Sequence, residues 1–143
     1  ARNVVQAAQC TREVRRRDPD LFLIIKLSIC HPYEFAQELE SLGVNALHAI
    51  NTIPYNIVFP LQRSPLAEVN GGGVSGGPAF PLALKYNEEL RKKVALFLIM
   101  GCGVTSRDDV QRYFDVGADA VSLCTLALRK PQKAARVVAA YNG

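Results

Sequence analysis

No apolar run in this sequence approaches the length of a membrane span. The longest, Leu21 to Ile25 and Val94 to Met100, fall far short of the roughly 20 residues a helix needs to cross a bilayer. Nothing resembling a secretory leader precedes them, so the expectation is a cytoplasmic chain with no membrane span. Close cysteine pairs and zinc-ligand spacing are absent as well. Cys10, Cys30, Cys102 and Cys124 stand far apart, as free thiols in a reducing compartment do, and no metal site is expected. Charged residues make up only 21% of the 143 and hydrophobic ones 49%, which excludes a disordered chain and fits one globular domain. The formal net charge is +4, with a visible cluster at Arg12, Arg15, Arg16 and Arg17. There is no helix-turn-helix or RNA-binding signature, so nucleic acid is not an expected partner and the cluster reads as a solvated helix face.

What the sequence does have, in one place, is glycine. Asn70-Gly71-Gly72-Gly73-Val74-Ser75-Gly76-Gly77-Pro78 carries five glycines in nine residues. Without Cβ atoms, several backbone N–H groups can converge on one anion, and a phosphate is the natural guest. A flexible linker has similar composition, but its flanks are polar, whereas these are apolar and patterned. The residues after Pro78, with Leu84, Tyr86, Leu90 and Val94 at helical spacing, predict a helix entered through proline.

The rest of the chain alternates between helix and strand signals. Val4, Ala7, Ala8, Thr11 and Val14 predict an amphipathic helix over residues 2 to 17. Leu21 to Ile29 is nearly continuous hydrophobicity, the pattern of a parallel strand covered on both faces, interrupted by Lys26. That lysine either snorkels to the rim or serves an anionic ligand. Pro32 opens a helix striped by Phe35, Leu39 and Leu42 and capped by Gly43. Val44 to Thr52 is the next strand. It ends in Ile50-Asn51-Thr52, on the same sheet end as Lys26, because strands joined by a crossover helix run parallel. His48 within it reads as a hydrogen-bonded packing residue and takes no assigned role. Ile53 to Asn70, with Pro54, Pro60 and Pro65, is a connection long enough to be a lid or binding segment. A third strand at Val94 to Met100 leads into Gly101-Cys102-Gly103-Val104. Thr105 or Ser106 caps the following helix with Asp109 as a capping-box partner, and Val110 and Phe114 face inward. Asp119 to Thr125 is a fourth strand, and Pro131 starts a last helix with Ala134, Val138 and Tyr141 inward.

Gly43-Val44-Asn45-Ala46-Leu47 and Gly117-Ala118-Asp119-Ala120-Val121 repeat one helix-to-strand turn. Four such units give an α/β fold of the (β/α) TIM-barrel type, in which polar residues at the C-terminal strand ends form the active face. Four units make half a barrel, with two open edges and an uncovered inner face. The expected partner is therefore the missing N-terminal half of the barrel or a second copy of the chain. The start at Ala1 rather than methionine fits a piece of a longer polypeptide.

These strand-end residues resemble, in order and spacing, the second half of the dihydroorotate dehydrogenase family. The resemblance is carried by Lys26-Leu27-Ser28, Asn51-Thr52, Gly72-Gly73-Val74-Ser75-Gly76 with Pro81 to Leu84, Gly103-Val104, and Leu123-Cys124-Thr125. It covers almost the whole chain and implies that residues 1–143 are the C-terminal half of an FMN-binding (β/α)8 barrel. The implied activity is an FMN-dependent oxidoreductase that oxidises dihydroorotate to orotate in pyrimidine biosynthesis. By resemblance, Lys26 faces the flavin N1–C2 carbonyl edge and stabilises negative charge on the reduced ring. Asn51 and Thr52 hydrogen-bond the pyrimidine substrate, and amides near Ser75, Gly76, Cys102, Gly103, Cys124 and Thr125 hold the FMN phosphate. Ile50, Gly73 and Leu123 complete the implied cofactor set. General chemistry fits these roles: a fixed ammonium in a water-poor site stabilises developing charge, and an Asn side chain offers a planar pyrimidine both donor and acceptor.

Two departures from the family stand out. A glycine pair is replaced by Cys102-Gly103, so one amide must approach the phosphate past a side chain. The family's catalytic base, a cysteine or serine upstream of the lysine strand, has no counterpart before Lys26; Cys10 lies in a predicted helix and Cys30 after the strand, so neither takes that role by position. Alternatives to the dehydrogenase are an enzyme of another dihydropyrimidine, and a non-catalytic half-barrel that keeps a phosphate site as an assembly unit.

Overall fold

The computed structural model describes residues 2–69 and 71–142, so Asn70 at the head of the glycine loop lies outside the described residues. Four parallel strands form the main sheet in the order β1 (Ile24–Lys26), β2 (Ala46–Ala49), β5 (Phe97–Gly101) and β6 (Ala120–Ser122). Strands adjacent in this sheet are successive in the chain, apart from a small second sheet that intervenes. Helices α1 (Arg2–Arg17), α2 (Tyr33–Ser41), α4 (Phe80–Arg91), α5 (Arg107–Asp115) and α7 (Pro131–Asn142) alternate with the strands. This is the α/β organisation that the hydrophobic pattern predicts.

The register divides the sheet into two unlike faces, since residues opposite each other in a ladder point the same way. Leu47, Ala49, Leu98 and Met100 face the helices and are fully buried, with Leu39, Leu90 and Tyr113 packed among them. The other face carries Ile24, Lys26, His48, Phe97, Ile99, Ala120 and Ser122, all half-buried or exposed, with only the small Ala46 and Gly101 buried among them. Ile24 is 46% exposed and Phe97 48%. The run from Leu21 to Ile29 is thus covered on its helix side only. Its regular strand is three residues rather than nine, because Leu21 and Phe22 precede the first ladder partner and stay exposed.

Two matching clamps hold the sheet's lower end. Arg15 donates to the carbonyls of Pro19, Leu21 and Gly43 and to Asn45 Oδ1, while Asn45 Oδ1 also accepts from the Leu23 amide. In the second copy of the repeat, Arg91 donates to Asp119 Oδ2 at 3.1 Å and to the Val94 carbonyl, and Asp119 Oδ2 accepts from the Leu98 amide. Gly43 and Gly117, at φ +77° and +94°, let each chain pass under its arginine. Arg15 is therefore a structural tie rather than part of a solvated face. Its neighbours do point to water: Arg12 pairs with Glu38, and Arg16 and Arg17 pair with Glu13.

Side-chain orientation corrects three helices. In α5 the fully buried aromatic is Tyr113, with Phe114 only partly buried; in α7 Val137 is buried and Val138 is 43% exposed. Helix α4 ends at Arg91, so Val94 is buried on the approach to β5 and not on the helix. The capping box at Ser106 and Asp109 forms in full.

Candidate functional site

The C-terminal strand ends converge on one cleft of about 330 Å³, and local pairing beyond the regular strands explains why. The Leu27 amide donates to the His48 carbonyl at 2.8 Å and the Asn51 amide to the Leu27 carbonyl at 2.9 Å. Parallel pairing thus continues past Lys26 and sets Asn51 beside the lysine strand. The chain then turns into β3 (Ile53–Pro54), which pairs antiparallel with β4 (Gly73–Val74). This small sheet, flanked by the short α3 (Tyr55–Val58), is what the long connection builds, and it folds the glycine loop back over the strand ends. Thr52 packs against Gly73, where an added Cβ would lie 2.5 Å from Thr52 Oγ1.

Of the residues the sequence singles out, Lys26, Ile50, Asn51, Thr52, Ser75, Cys102, Gly103, Leu123, Cys124 and Thr125 line this cleft. Gly76 lines an adjoining cleft that shares Ser75 and Thr125. Gly73 sits behind, in β4 against Thr52. Cys10 and Cys30 are exposed and line neither cleft.

The glycines shape a cradle. Gly76, Cys102 and Gly103 have φ of +77°, +78° and +87°. At Gly103 a Cβ would lie 2.5 Å from the Phe80 backbone, so only glycine fits; at Gly76 it would meet Thr125 Cγ2 at 3.4 Å. The amides of Ser75, Gly76 and Gly103 donate to no backbone carbonyl among the described residues. Free amides beside positive-φ glycines suit a phosphate. Cys102 occupies a conformation that L side chains rarely adopt. The Tyr113 hydroxyl, 2.7 Å from the carbonyls of both Gly101 and Cys102, steadies that turn from the helix side.

The floor of the cleft is electrostatically coupled. Lys26 and His48 are register partners. Burial, and then the Lys26 charge, hold the His48 imidazole below its ordinary pKa. Burial raises the Cys102 thiol, with Lys26 opposing, so this cysteine is kept as the thiol and is not poised as a base. His48 and Ser122 were not assigned roles from sequence, yet both line the cleft and bond to each other at 2.9 Å. A signal existed in the period of two: His48 shares a face with Ile50 in the strand reading, as Ser122 does with Cys124. The sequence reading also missed α6 (Thr125–Arg129), taking Thr125 as the end of a strand.

Comparison with known proteins bears directly on this arrangement. Residues 6–140 match the family model described as dihydroorotate dehydrogenase. The chain belongs to the dihydroorotate dehydrogenase family. The catalytic subunit of dihydroorotate dehydrogenase B (NAD(+)) from Oceanobacillus iheyensis is 32% identical over 126 residues, 87% of this chain and 41% of that protein. The protein of the same name from Archaeoglobus fulgidus is 36% identical over 100 residues, 68% of this chain and 33% of the relative. This dihydroorotate dehydrogenase family chain thus spans about two fifths of the length of the Oceanobacillus relative. A crystal structure of DHODH from Eimeria tenella in complex with ferulenol matches with a TM-score of 0.63, covering 81% of this chain and 32% of that one at 23% identity. That likeness shows the fold, a TIM-type barrel of which this chain forms four βα units.

Proposed function

We propose that this chain is the C-terminal, phosphate-anchoring half of an FMN-dependent dihydroorotate dehydrogenase, and that the whole protein oxidises dihydroorotate to orotate. The observation that carries the reading is the cradle: the positive-φ residues Gly76, Cys102 and Gly103 and the free amides of Ser75, Gly76 and Gly103 sit at the strand ends beside an exposed lysine, in a chain of this family. When bound, FMN would supply the hydride-accepting chemistry. Amides near Ser75, Gly76, Cys102, Gly103, Cys124 and Thr125 would hold its phosphate, with Leu123 and Ile50 completing the cofactor set. Lys26 would place an ammonium where negative charge develops, and such fixed charge in a water-poor site is worth more than the same charge in solvent. Asn51 and Thr52 would hydrogen-bond the pyrimidine ring. Other dihydropyrimidines share those ring features, so substrate assays should include them.

The base that removes the substrate proton would come from outside this chain. The exposed positions of Cys10 and Cys30, away from the cleft, support that division. The relatives are named catalytic subunits of an NAD(+)-type enzyme, which supports a companion subunit and NAD(+) as electron acceptor for the whole protein. A cytoplasmic location agrees with this chemistry, and no helix among the described residues is long and apolar enough to cross a membrane.

The test is to express the chain together with a complementary N-terminal half-barrel from a relative, and to measure bound flavin and its bleaching by dihydroorotate. Yellow protein that bleaches supports the enzyme. Assembled protein that binds no flavin would instead support a half-barrel acting only in assembly.

A further inference from the structure

One titratable ring on the open face of the sheet has no part in the chemistry proposed above. Lys26 and His48 stand opposite each other in the parallel ladder of β1 and β2. Their side chains therefore leave the same face of the sheet, one strand spacing of roughly 4.8 Å apart. Besides these two, the titratable groups lining the cleft are Cys102 and Cys124, from the turns after β5 and β6, and among the described residues no arginine or carboxylate lines it.

The His48 imidazole is fixed in that place. Its Nε2 lies 2.9 Å from Ser122 Oγ, a reach across β5 that the bare Gly101 leaves open. A serine hydroxyl both donates and accepts, so this bond holds whether the ring is neutral or protonated. His31, the other histidine, is built the opposite way. Its Nδ1 accepts the Ser28 amide, a bond that protonation would break, and it lines neither cleft. The Ser122 bond thus anchors His48 in both charge states, beside the one lysine of the cleft.

We propose that His48 is a tuning residue for the flavin reaction: neutral, it leaves Lys26 the single cation on the cleft floor, and protonated, it adds a second charge beside it. The inference rests on the flavin reading of the cleft. After burial, the Lys26 charge is what opposes protonation of the ring. Negative charge entering the cleft with a hydride offsets that opposition, and the coupling is reciprocal, so the protonated ring favours the reduced cofactor by the same factor. His48 exchanges one proton with water and forms no bond to the ligand; the hydride and its two electrons come from the dihydropyrimidine.

The test has two arms. In the intact chain, the imidazole NMR resonances of His48 and His31 are followed against pH, with and without Lys26→Met. Removing the neighbouring cation should raise the His48 midpoint by about 0.5 pH unit while His31 stays put. An unmoved His48 midpoint overturns the inference with no cofactor present. In the flavin-bound barrel, assembled with a complementary N-terminal half, the midpoint potential is measured against pH with and without His48→Gln, since glutamine is polar and uncharged at every pH. The two proteins should agree above about pH 7.5. Toward about pH 5.5 the unsubstituted protein should rise above the variant by about 30 mV, a tenfold preference for reduced flavin in a two-electron couple. Superimposed curves, or curves offset equally at every pH as a purely structural histidine would give, overturn it. An assembled barrel that binds no flavin would instead overturn the flavin reading itself.

Discussion

His48 on β2 and Ser122 on β6 are hydrogen-bonded, Nε2 to Oγ at 2.9 Å, although β5 lies between their strands. The bond exists because Gly101, the β5 partner of Ser122 in the ladder, has no side chain. A Cβ there would overlap Ser122 Oγ and sit 3.2 Å from the Ser122 carbonyl oxygen. Gly101→Ala should therefore push the strands apart and break the bond, with a loss of about 1–3 kcal/mol from overpacking in a urea melt. Ser122→Ala, which removes the partner without the clash, should cost about 1 kcal/mol or less. Equal losses in the two variants would count against steric exclusion at Gly101.

Both histidines fold in the neutral form. Burial lowers the pKa of His31 from 6.5, and burial followed by the Lys26 charge lowers that of His48. His31 Nδ1 also accepts the Ser28 amide, which requires that nitrogen to be unprotonated. A folded-state pKa below the unfolded one means that the unfolded chain binds more protons, so stability is fully present above the unfolded value of 6.5. It should fall as the pH drops from there through the lower folded values. Unfolding midpoints measured from pH 7.5 down to about pH 5 should decline, with a shallower decline in His48→Gln. A profile identical to that of the unsubstituted chain would exclude His48 as a contributor.

Lys26 is exposed on the open face and pairs with no carboxylate among the described residues. Lys26→Ala should leave the stability of the chain within about 0.5 kcal/mol. In the assembled barrel it should slow single-turnover flavin reduction by about 10²-fold or more, the cost of removing a charge that acts on the transition state. Unchanged reduction would reassign the lysine to solubility.

Gly76 is buried, at φ +77°, and its absent side chain would touch Thr125 Cγ2. Gly76→Val should weaken FMN binding about tenfold or more, by straining the backbone and filling the cradle. Riboflavin, which lacks the phosphate, should be nearly indifferent. Equal losses of both ligands, measured by fluorescence quenching, would mean that the loop serves the ring or the fold.

The inner face offers Ile24 and Phe97 half exposed, between the free edges of β1 and β6. Apolar sheet face and open edges together favour association. Sedimentation at micromolar concentration should show the chain pairing with itself, and a complementary half-barrel should displace the self-association. A compact monomer that binds no dye for exposed apolar surface would contradict this.

The order of helices and strands was legible from sequence because each signal is local: apolar runs for strands, 3.6-residue stripes for helices, and Gly43 and Gly117 for the turns between. The convergence of Lys26, Asn51, Ser75, Gly103 and Thr125 was legible too, since parallel strands bring their C-terminal ends together and the family resemblance marks those ends. Strand length was not. Whether Leu21 or Val94 belongs to a ladder depends on where the neighbouring strand begins, and hydrophobicity carries no trace of that. The same holds for choices between adjacent residues, Tyr113 over Phe114 and Val137 over Val138, which are settled by the rotation of a helix against the sheet. Arg15 reads as one of four similar arginines until the fold places three carbonyls and Asn45 around it. His48 and Ser122, 74 residues apart, become partners only when β5 brings a glycine between them. Composition reveals the surplus of four positive charges; only packing shows that Arg129, Lys130 and Lys133 face a cleft at the end of the glycine loop.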